Sequence, residues 1–229
     1  MYILDTLLDG LASQSLNLAI TERPEIPTPQ QVVESIEVEG RHGSLTRLGA
    51  FKDISFPIEY NILEYENIKP LLRQIRGYFF GKKTLQFTDD HVFYKIKSLQ
   101  ISETNNEIEE YGLFTVTFVC DPFQYELNNS LTIMQPTTLF NPGTIESEPI
   151  LTVYGNGDLI ITINGVPIML EDVVDYVVVD SELMNSYKGD VSKNNLMTGD
   201  FPLFIPGKNT ISWEGSVSKI VIEPGWRYI

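Results

Sequence analysis

Val116-Thr-Phe-Val-Cys120-Asp121-Pro122-Phe123-Gln-Tyr125-Glu126 divides the chain. From Leu113 to Cys120 the residues alternate, with Phe114, Val116, Phe118 and Cys120 on one face and Thr115 and Thr117 on the other. That is the period of a half-buried strand. Pro122 lacks a backbone donor and forces Asp121 out of the helical region, so the sheet is expected to stop here and the chain to turn away. Upstream lies a mixed region with one helix; downstream, short strands alternate with Gly/Asn/Pro turns to the C-terminus. Asp121, Pro122, Phe123 and Tyr125 therefore read as a junction between a domain over 1–125 and a second over 126–229.

The length of 229 residues suits two modest domains or one large one, and 42% hydrophobic with 21% charged residues is ordinary for a globular protein. Eleven Tyr and twelve Phe, with abundant Ile, Val and Thr, favour β structure. No run approaches the length of a membrane-spanning helix. The segment Met1-Tyr-Ile-Leu-Asp5 has no basic region, so no secretory signal is expected. Net charge is −15, with 11 basic and 18 acidic side chains over 1–125 and 5 against 13 over 126–229. Neither half offers a basic footprint for a phosphate backbone, though an acidic lining lets DNA slide past without sticking. The single cysteine, Cys120, excludes an intrachain disulfide and a thiolate cluster, and reads as a small buried hydrophobe.

In chain order, Tyr2 to Leu4, Leu7 and Leu8 open an apolar segment, and Leu16, Leu18 and Ile20 follow at strand spacing. Pro24, Pro27 and Pro29 make the next stretch an extended connector. Strands are predicted over Val32–Glu39 and Ala50–Asn61, the second with Pro57 marking an edge or bulge. Between them, Gly40-Arg41-His42-Gly43-Ser44-Leu45-Thr46-Arg47-Leu48-Gly49 is a glycine-bounded linker with the densest basic pair of the neighbourhood. By composition it is an exposed hairpin loop; the sharper alternative is an arm that reaches a neighbouring subunit. A helix is predicted over Leu63–Gly77, with Ile68, Leu71, Leu72 and Ile75 as its apolar stripe and Asn67 as N-cap. Pro70 then falls in its first turn, Arg73 and Arg76 in its last, and Gly77 just past its end. Thr84–Phe87 and Val92–Ser102 follow as strands, and Thr104–Glu110 as a polar hairpin tip.

After Tyr125 the pattern is all β. Strands are expected over Ile150–Tyr154 and Leu159–Ile163 around a Gly155-Asn156-Gly157-Asp158 turn, and over Pro167–Leu170, Val173–Val179, Thr210–Trp213 and Val217–Ile222. Asn164-Gly165 is a strong short hairpin signal. Short strands at this spacing suggest a sandwich or jelly roll.

Chemistry finds little to work with. His42 and His91 are the two histidines and neither has a partner pattern, so nucleophile triads lack material. No glycine-rich loop precedes a helix. Asp180 and Glu182 as a carboxylate pair, and Asn156, Asp158 and Glu171 as calcium ligands, both yield to plainer readings as turns. Trp213, Trp226, Tyr154 and Tyr187 suggest a sugar-stacking platform, against a simpler role in the core. No enzyme, cofactor or metal is expected.

The ordered turn motifs Asn141-Pro142-Gly143, Tyr154-Gly155-Asn156-Gly157, Asp180-Ser181-Glu182, Gly199-Asp200-Phe201-Pro202 and Pro206-Gly207-Lys208-Asn209 join Gly40-Arg41 and Asp121-Pro122-Phe123 along nearly the whole chain. In this order they resemble the phage distal tail (Dit) family, components of the siphophage tail-tip or baseplate hub. The resemblance implies a mainly β protein with one α-helix in the first domain: an N-terminal β-sandwich ring domain and a C-terminal galectin-like jelly-roll sandwich. It makes Gly40, Arg41, His42, Gly43, Ser44, Leu45 and Arg47 a subunit-interface arm belting the next protomer. It further implies a homo-hexameric ring that joins the tail tube protein to the tail-associated lysin or fibre hub, leaving a DNA channel. The tape measure and receptor-binding proteins are further implied partners. The implied location is the virion tail tip, assembled in the bacterial cytoplasm. The competing reading is a carbohydrate-binding module for a cell-wall sugar, although the second domain contains no histidine of the galectin signature.

Overall fold

A computed structural model describes residues 4–63, 69–103, 112–127 and 130–229. The chain separates into two compact units, Met1–Tyr125 with Ile229, and Glu126–Tyr228. It is mainly β, with one α-helix among the described residues.

In the first unit the strands are β1 (Thr6–Leu8), β2 (Leu11–Ala12), β3 (Leu18–Ile20), β4 (Gln31–Ile36), β5 (Leu45–Phe51) and β6 (Ile54–Ile62). Helix α1 (Lys69–Phe79) precedes β7 (Thr84–Phe87), β8 (Val92–Ile101) and β9 (Gly112–Glu126). All but β4 and β5 join one curled antiparallel sheet in the order β2-β1-β7-β8-β9-β6-β3. The alternation read in β9 sets its inner face: Phe114, Val116, Phe118 and Cys120 are buried. They stand opposite the equally alternating Tyr60, Ile58, Phe56 and Ile54 of β6. Cross-strand pairing of large side chains is the unit of sheet stabilisation. Here it stacks Tyr60 on Phe114 at 5.6 Å between centroids, and Phe79 of α1 meets Tyr60 edge-on at 5.4 Å. The polar end of Tyr60 is satisfied by the Thr6 hydroxyl at 2.9 Å.

Three local expectations are corrected here. Helix α1 runs two residues past Gly77, so that residue is helical and Gly81, at φ +72°, follows the end instead. Fully buried Phe79 explains the extension, because packing an aromatic outweighs the helix penalty of one glycine, about 1 kcal/mol. Arg76 alone of the two arginines falls in the last turn, Leu63 is outside the helix, and Asn67 and Ile68 lie outside the described residues. Second, β9 continues through Pro122 to Glu126. Its partner β6 has already ended, with Ile54 opposite Cys120, so on that side no ladder bond is lost by the missing donor. Third, the Ala50–Asn61 stretch is divided between β5 and β6. Pro57 lies on β6 where β3, paired only to Tyr60–Ile62, does not reach. The predicted tip Thr104–Glu110 and segment Tyr2–Ile3 lie outside the described residues.

The second unit contains β10 (Leu131–Ile133), β11 (Thr137–Asn141), β12 (Ile150–Ile163), β13 (Val166–Val173) and β14 (Tyr176–Asp180). It continues with β15 (Asn185–Lys188), β16 (Val191–Ser192), β17 (Met197–Thr198), β18 (Gly207–Glu223) and β19 (Arg227–Tyr228). Its spine is the pair of long strands β12 and β18, each read from sequence as two short strands. Gly155 and Gly215 explain the difference. A Cβ on Gly155 would lie 2.6 Å from the Ser216 carbonyl oxygen, and one on Gly215 2.6 Å from that of Asp158. Two backbones approach closely there, so the register shifts and the pair bends instead of breaking. Before the bend β12 pairs with β14, and after it with β13. Leu151 and Val153 from one half and Leu159, Ile161 and Ile163 from the other meet in one core. Asn164 (φ +52°) and Gly165 (φ +83°) form the two-residue turn between β12 and β13, as Asn-Gly chemistry predicts. Val173 ends β13 instead of starting the next strand.

Candidate functional site

Strands β4 and β5 form a separate two-stranded sheet. The register pairs Ile36 with Leu45, Ser35 with Thr46, Glu34 with Arg47 and Val33 with Leu48. Directly opposed residues share a face, so Ile36, Leu45, Glu34 and Arg47 lie on one side and Val33, Leu48, Ser35 and Thr46 on the other. Both faces are apolar in part and both are open: Val33 is 58% and Leu48 63% exposed, Ile36 and Leu45 40% each. None of the hairpin's residues belongs to the unit's core. An isolated two-stranded hairpin is marginal in water, and the exposed Glu34–Arg47 pair at 3.9 Å adds little.

The hairpin is fixed at its root. Phe51 packs edge-on against Phe123 of β9 at 5.6 Å. The Lys97 ammonium bridges Asp53 (2.6 Å), at the hairpin's exit, and Asp121 (2.9 Å) on β9. Its hydrogen bonds to Asp53 and then Asp121 hold its pKa above the ordinary lysine range. The Lys52 N–H donates to the Gln30 carbonyl at 2.9 Å, closing the neck. Beside the root, Tyr125 stacks on Phe93 at 5.6 Å under the Lys95 ammonium, 4.2 Å from the ring centroid.

The hairpin that carries the residues read as an arm is thus longer than the glycine-bounded linker. Gly40, Arg41, His42, Gly43 and Ser44 form the tip, where the Arg41 N–H donates to the Val38 carbonyl at 3.1 Å. Leu45 and Arg47 lie within β5, so the hairpin comprises both strands from Gln31 to Phe51. The junction residues Asp121, Pro122, Phe123 and Tyr125 lie in β9, and Asp121 and Phe123 meet the arm's root. Arm and junction, separate in the sequence, are brought together. Phe51, Asp53 and Lys97 were not legible as root residues, since Lys97 and Asp53 stand 44 positions apart and no local pattern links them.

Other candidates resolve into structure. Asp180 is buried and accepts the Leu183 N–H at 2.9 Å, the bond of a tight turn. Asn156 and Asp158 accept the backbone N–H groups of Asp175 and Asp172, each at 3.1 Å. No cluster of three potential metal ligands occurs among the described residues. Trp226 is buried against Phe204, and Trp213 is partly buried on the same core. Burial pushes the Cys120 thiol up to about 12, so it carries no reactive thiolate. No described helix is long and apolar enough to cross a membrane.

The curled sheet with its helix and hairpin, followed by a second β unit built on two long strands, is similar in fold to solved phage hub and baseplate proteins. The solved structure of the SPP1 Dit (gp 19.1) protein, described as a paradigm of hub adsorption apparatus in phages infecting Gram-positive hosts, superposes with a TM-score of 0.68. The match covers 96% of this chain and 98% of that one at 12% identity. A chain of the phage P2 baseplate, in its activated conformation with Ca, matches with a TM-score of 0.50 at 11% identity, covering 96% and 97%. No protein-family model matches the sequence, and no curated protein sequence matches it.

Proposed function

We propose that this chain is a structural distal tail protein of a phage or prophage, acting as a hub of the tail tip. Its similarity in fold to a Dit hub protein over 96% of its length supports that reading. The finer proposal is that copies close into a ring, a hexamer, through the first unit. The observation that carries it is the β4–β5 hairpin, which shows aliphatic side chains on both faces and contributes nothing to its own core. A cyclic assembly needs one surface to reach a different surface on the next copy, and a rooted, projecting hairpin supplies the first of these. Covering Val33, Leu48, Ile36 and Leu45 on a neighbouring copy would supply the apolar burial that the isolated hairpin lacks.

The ring would join the tail tube to the lysin or fibre hub and leave a channel through which DNA passes without specific binding. A net charge of −15 fits passage rather than retention. The proposed setting is the virion tail tip, with assembly in the bacterial cytoplasm and no catalytic role. The test is mass photometry and negative-stain imaging of the full chain across a concentration series, alone and with its tail-tube and hub neighbours. Closed rings of about six copies are expected. Monomers throughout, even beside those neighbours, would sink the proposal.

A further inference from the structure

We propose that a groove in the first unit, between the proline connector and the free edge of β6, receives β5 of the next copy's hairpin. This inference rests on the reading of the hairpin as an arm, and names the surface that the arm would reach. The groove measures about 470 Å³. One wall is the connector from Glu22 to Pro27, and the other is β6 from Ser55 to Glu59.

Backbone chemistry keeps the two walls apart. The Thr21 N–H donates to the Glu59 carbonyl at 3.1 Å, and the Lys52 N–H to that of Gln30 at 2.9 Å. Between these two bonds no backbone hydrogen bond joins the connector to β6 among the described residues. Pro24, Pro27 and Pro29 have no donor to offer. Strand β3 reaches only Tyr60, Asn61 and Ile62, so the rest of β6 keeps a bare outer edge. The Glu59 carbonyl points away from β9, and antiparallel alternation turns Ser55 and Pro57 the same way. The N–H and C=O of Ser55 and the C=O of Pro57 therefore face the groove. An unpaired strand edge is a template for a strand of another chain.

Charge selects which strand. Glu22, Glu25 and Glu59 line the groove and are exposed. The one cation in its lining, Arg23, is held by Asp89 at 2.6 Å, so the groove stays acidic. Within the hairpin, Glu34, Glu37 and Glu39 all precede the tip, whereas residues 40–51 carry Arg41 and Arg47 and no carboxylate. Entry of β4 would set like charges together, which an interface avoids. Entry of β5 brings opposite ones. Its outer edge is free, because the hairpin is a two-stranded sheet. Its seven residues exceed the stretch of about 16 Å from Ser55 to Glu59. Leu45 and Leu48, 40% and 63% exposed, would find apolar surface on Pro24, Pro27 and the 46% exposed Ile26.

Cross-linking of mixed full-length chains with a flexible bismaleimide tests this single contact, whether or not rings close. One chain carries Thr46→Cys on β5 and the other Ser55→Cys in the groove wall, while Cys120 is buried in both. Heterodimer should form at least about tenfold faster than when Leu183→Cys, at a residue 70% exposed on the second unit, replaces Ser55→Cys. Glu22→Lys with Glu25→Lys in the groove chain should remove that advantage. Arg41→Glu with Arg47→Glu in the hairpin chain should then restore it. Glu59 is left in place because it holds the Thr21 hydroxyl at 2.8 Å. Equal rates for Ser55→Cys and Leu183→Cys, or a charge swap that restores nothing, would overturn the groove. Rings imaged beside such a failure would leave the tail-tip reading standing. Fast, charge-dependent cross-linking without rings would uphold the groove and sink the ring.

Discussion

Excising the whole hairpin is the decisive perturbation. The Lys52 N–H and the Gln30 carbonyl are already hydrogen-bonded at 2.9 Å, so residues 31–51 can be replaced by a two-residue Asn-Gly turn without moving the neck. The loss to the first unit is the Phe51–Phe123 contact, about 0.5–1.5 kcal/mol for an aromatic pair, because no residue of the hairpin belongs to the core. Shortening the connection returns closure entropy of similar size, about 0.6 kcal/mol for each halving of a flexible loop. The terms oppose, and the expected net change is within about 1–2 kcal/mol of zero. Asp53 and Lys97 stay in place, so their ion pair survives. Differential scanning fluorimetry should therefore find a transition moved by only a few degrees, roughly the scale for a change this small. Mass photometry should find monomers where the unmodified chain forms rings. Rings that persist at the same concentration would refute the arm as the link between copies. A variant that no longer unfolds cooperatively would refute the claim that the hairpin stands apart from the core.

Two further outcomes follow from the interior of the first unit. Cys120 should resist a disulfide-exchange reagent at pH 8 in the folded chain and react fully in denaturant, because burial raises its thiol to about 12; fast reaction of the native protein would contradict the packing of β9 on β6. Tyr94, raised to about 12 by burial, stays protonated when folded, while an unfolded tyrosine ionises near pH 10. Between those values the unfolded state binds fewer protons, so stability should fall as pH rises from about 10 to 12. Tyr94→Phe should make that slope shallower in urea melts, with Tyr60 and Tyr78, also raised by burial, keeping part of it, at the cost of the 2.8 Å bond from Gln124; an unchanged slope would show that Tyr94 does not contribute.

The sequence disclosed what depends on near neighbours and concealed what depends on partners across the sheet. Alternation placed Phe114, Val116, Phe118 and Cys120 inside, because a strand's period of two is written residue by residue. Asn164-Gly165 announced its turn for the same reason. Pro122 misled, since a proline is tolerated wherever the adjacent strand has ended, and the end of β6 at Ile54 is a tertiary fact. Gly155-Asn156-Gly157-Asp158 misled in the same way. Gly155 serves a close approach of β12 and β18 rather than a reversal, and Ser216, whose carbonyl enforces it, gives no local sign; Gly157 stands in open space at φ +79°. The arm shows both sides of this rule in one element. Its tip glycines and arginines were visible, but Leu45 to Gly49 looked like loop until Ser35, Glu34 and Val33 stood opposite them as a second strand. Its root was concealed altogether, because Phe51, Asp53, Lys97, Asp121 and Phe123 converge from three strands and the β5–β6 turn. That convergence makes Lys97 the informative residue for the arm's direction. Exposed ion pairs contribute at most about 1 kcal/mol, so Lys97→Met should leave stability nearly intact while freeing the hairpin to swing about Phe51. If ring formation depends on aim, this variant should assemble only at higher concentration than the parent chain. Added salt, which screens the same pair, should weaken the parent toward the variant and leave the variant itself unmoved. Equal assembly of the two chains at every salt concentration would mean that the aromatic contact alone directs the arm.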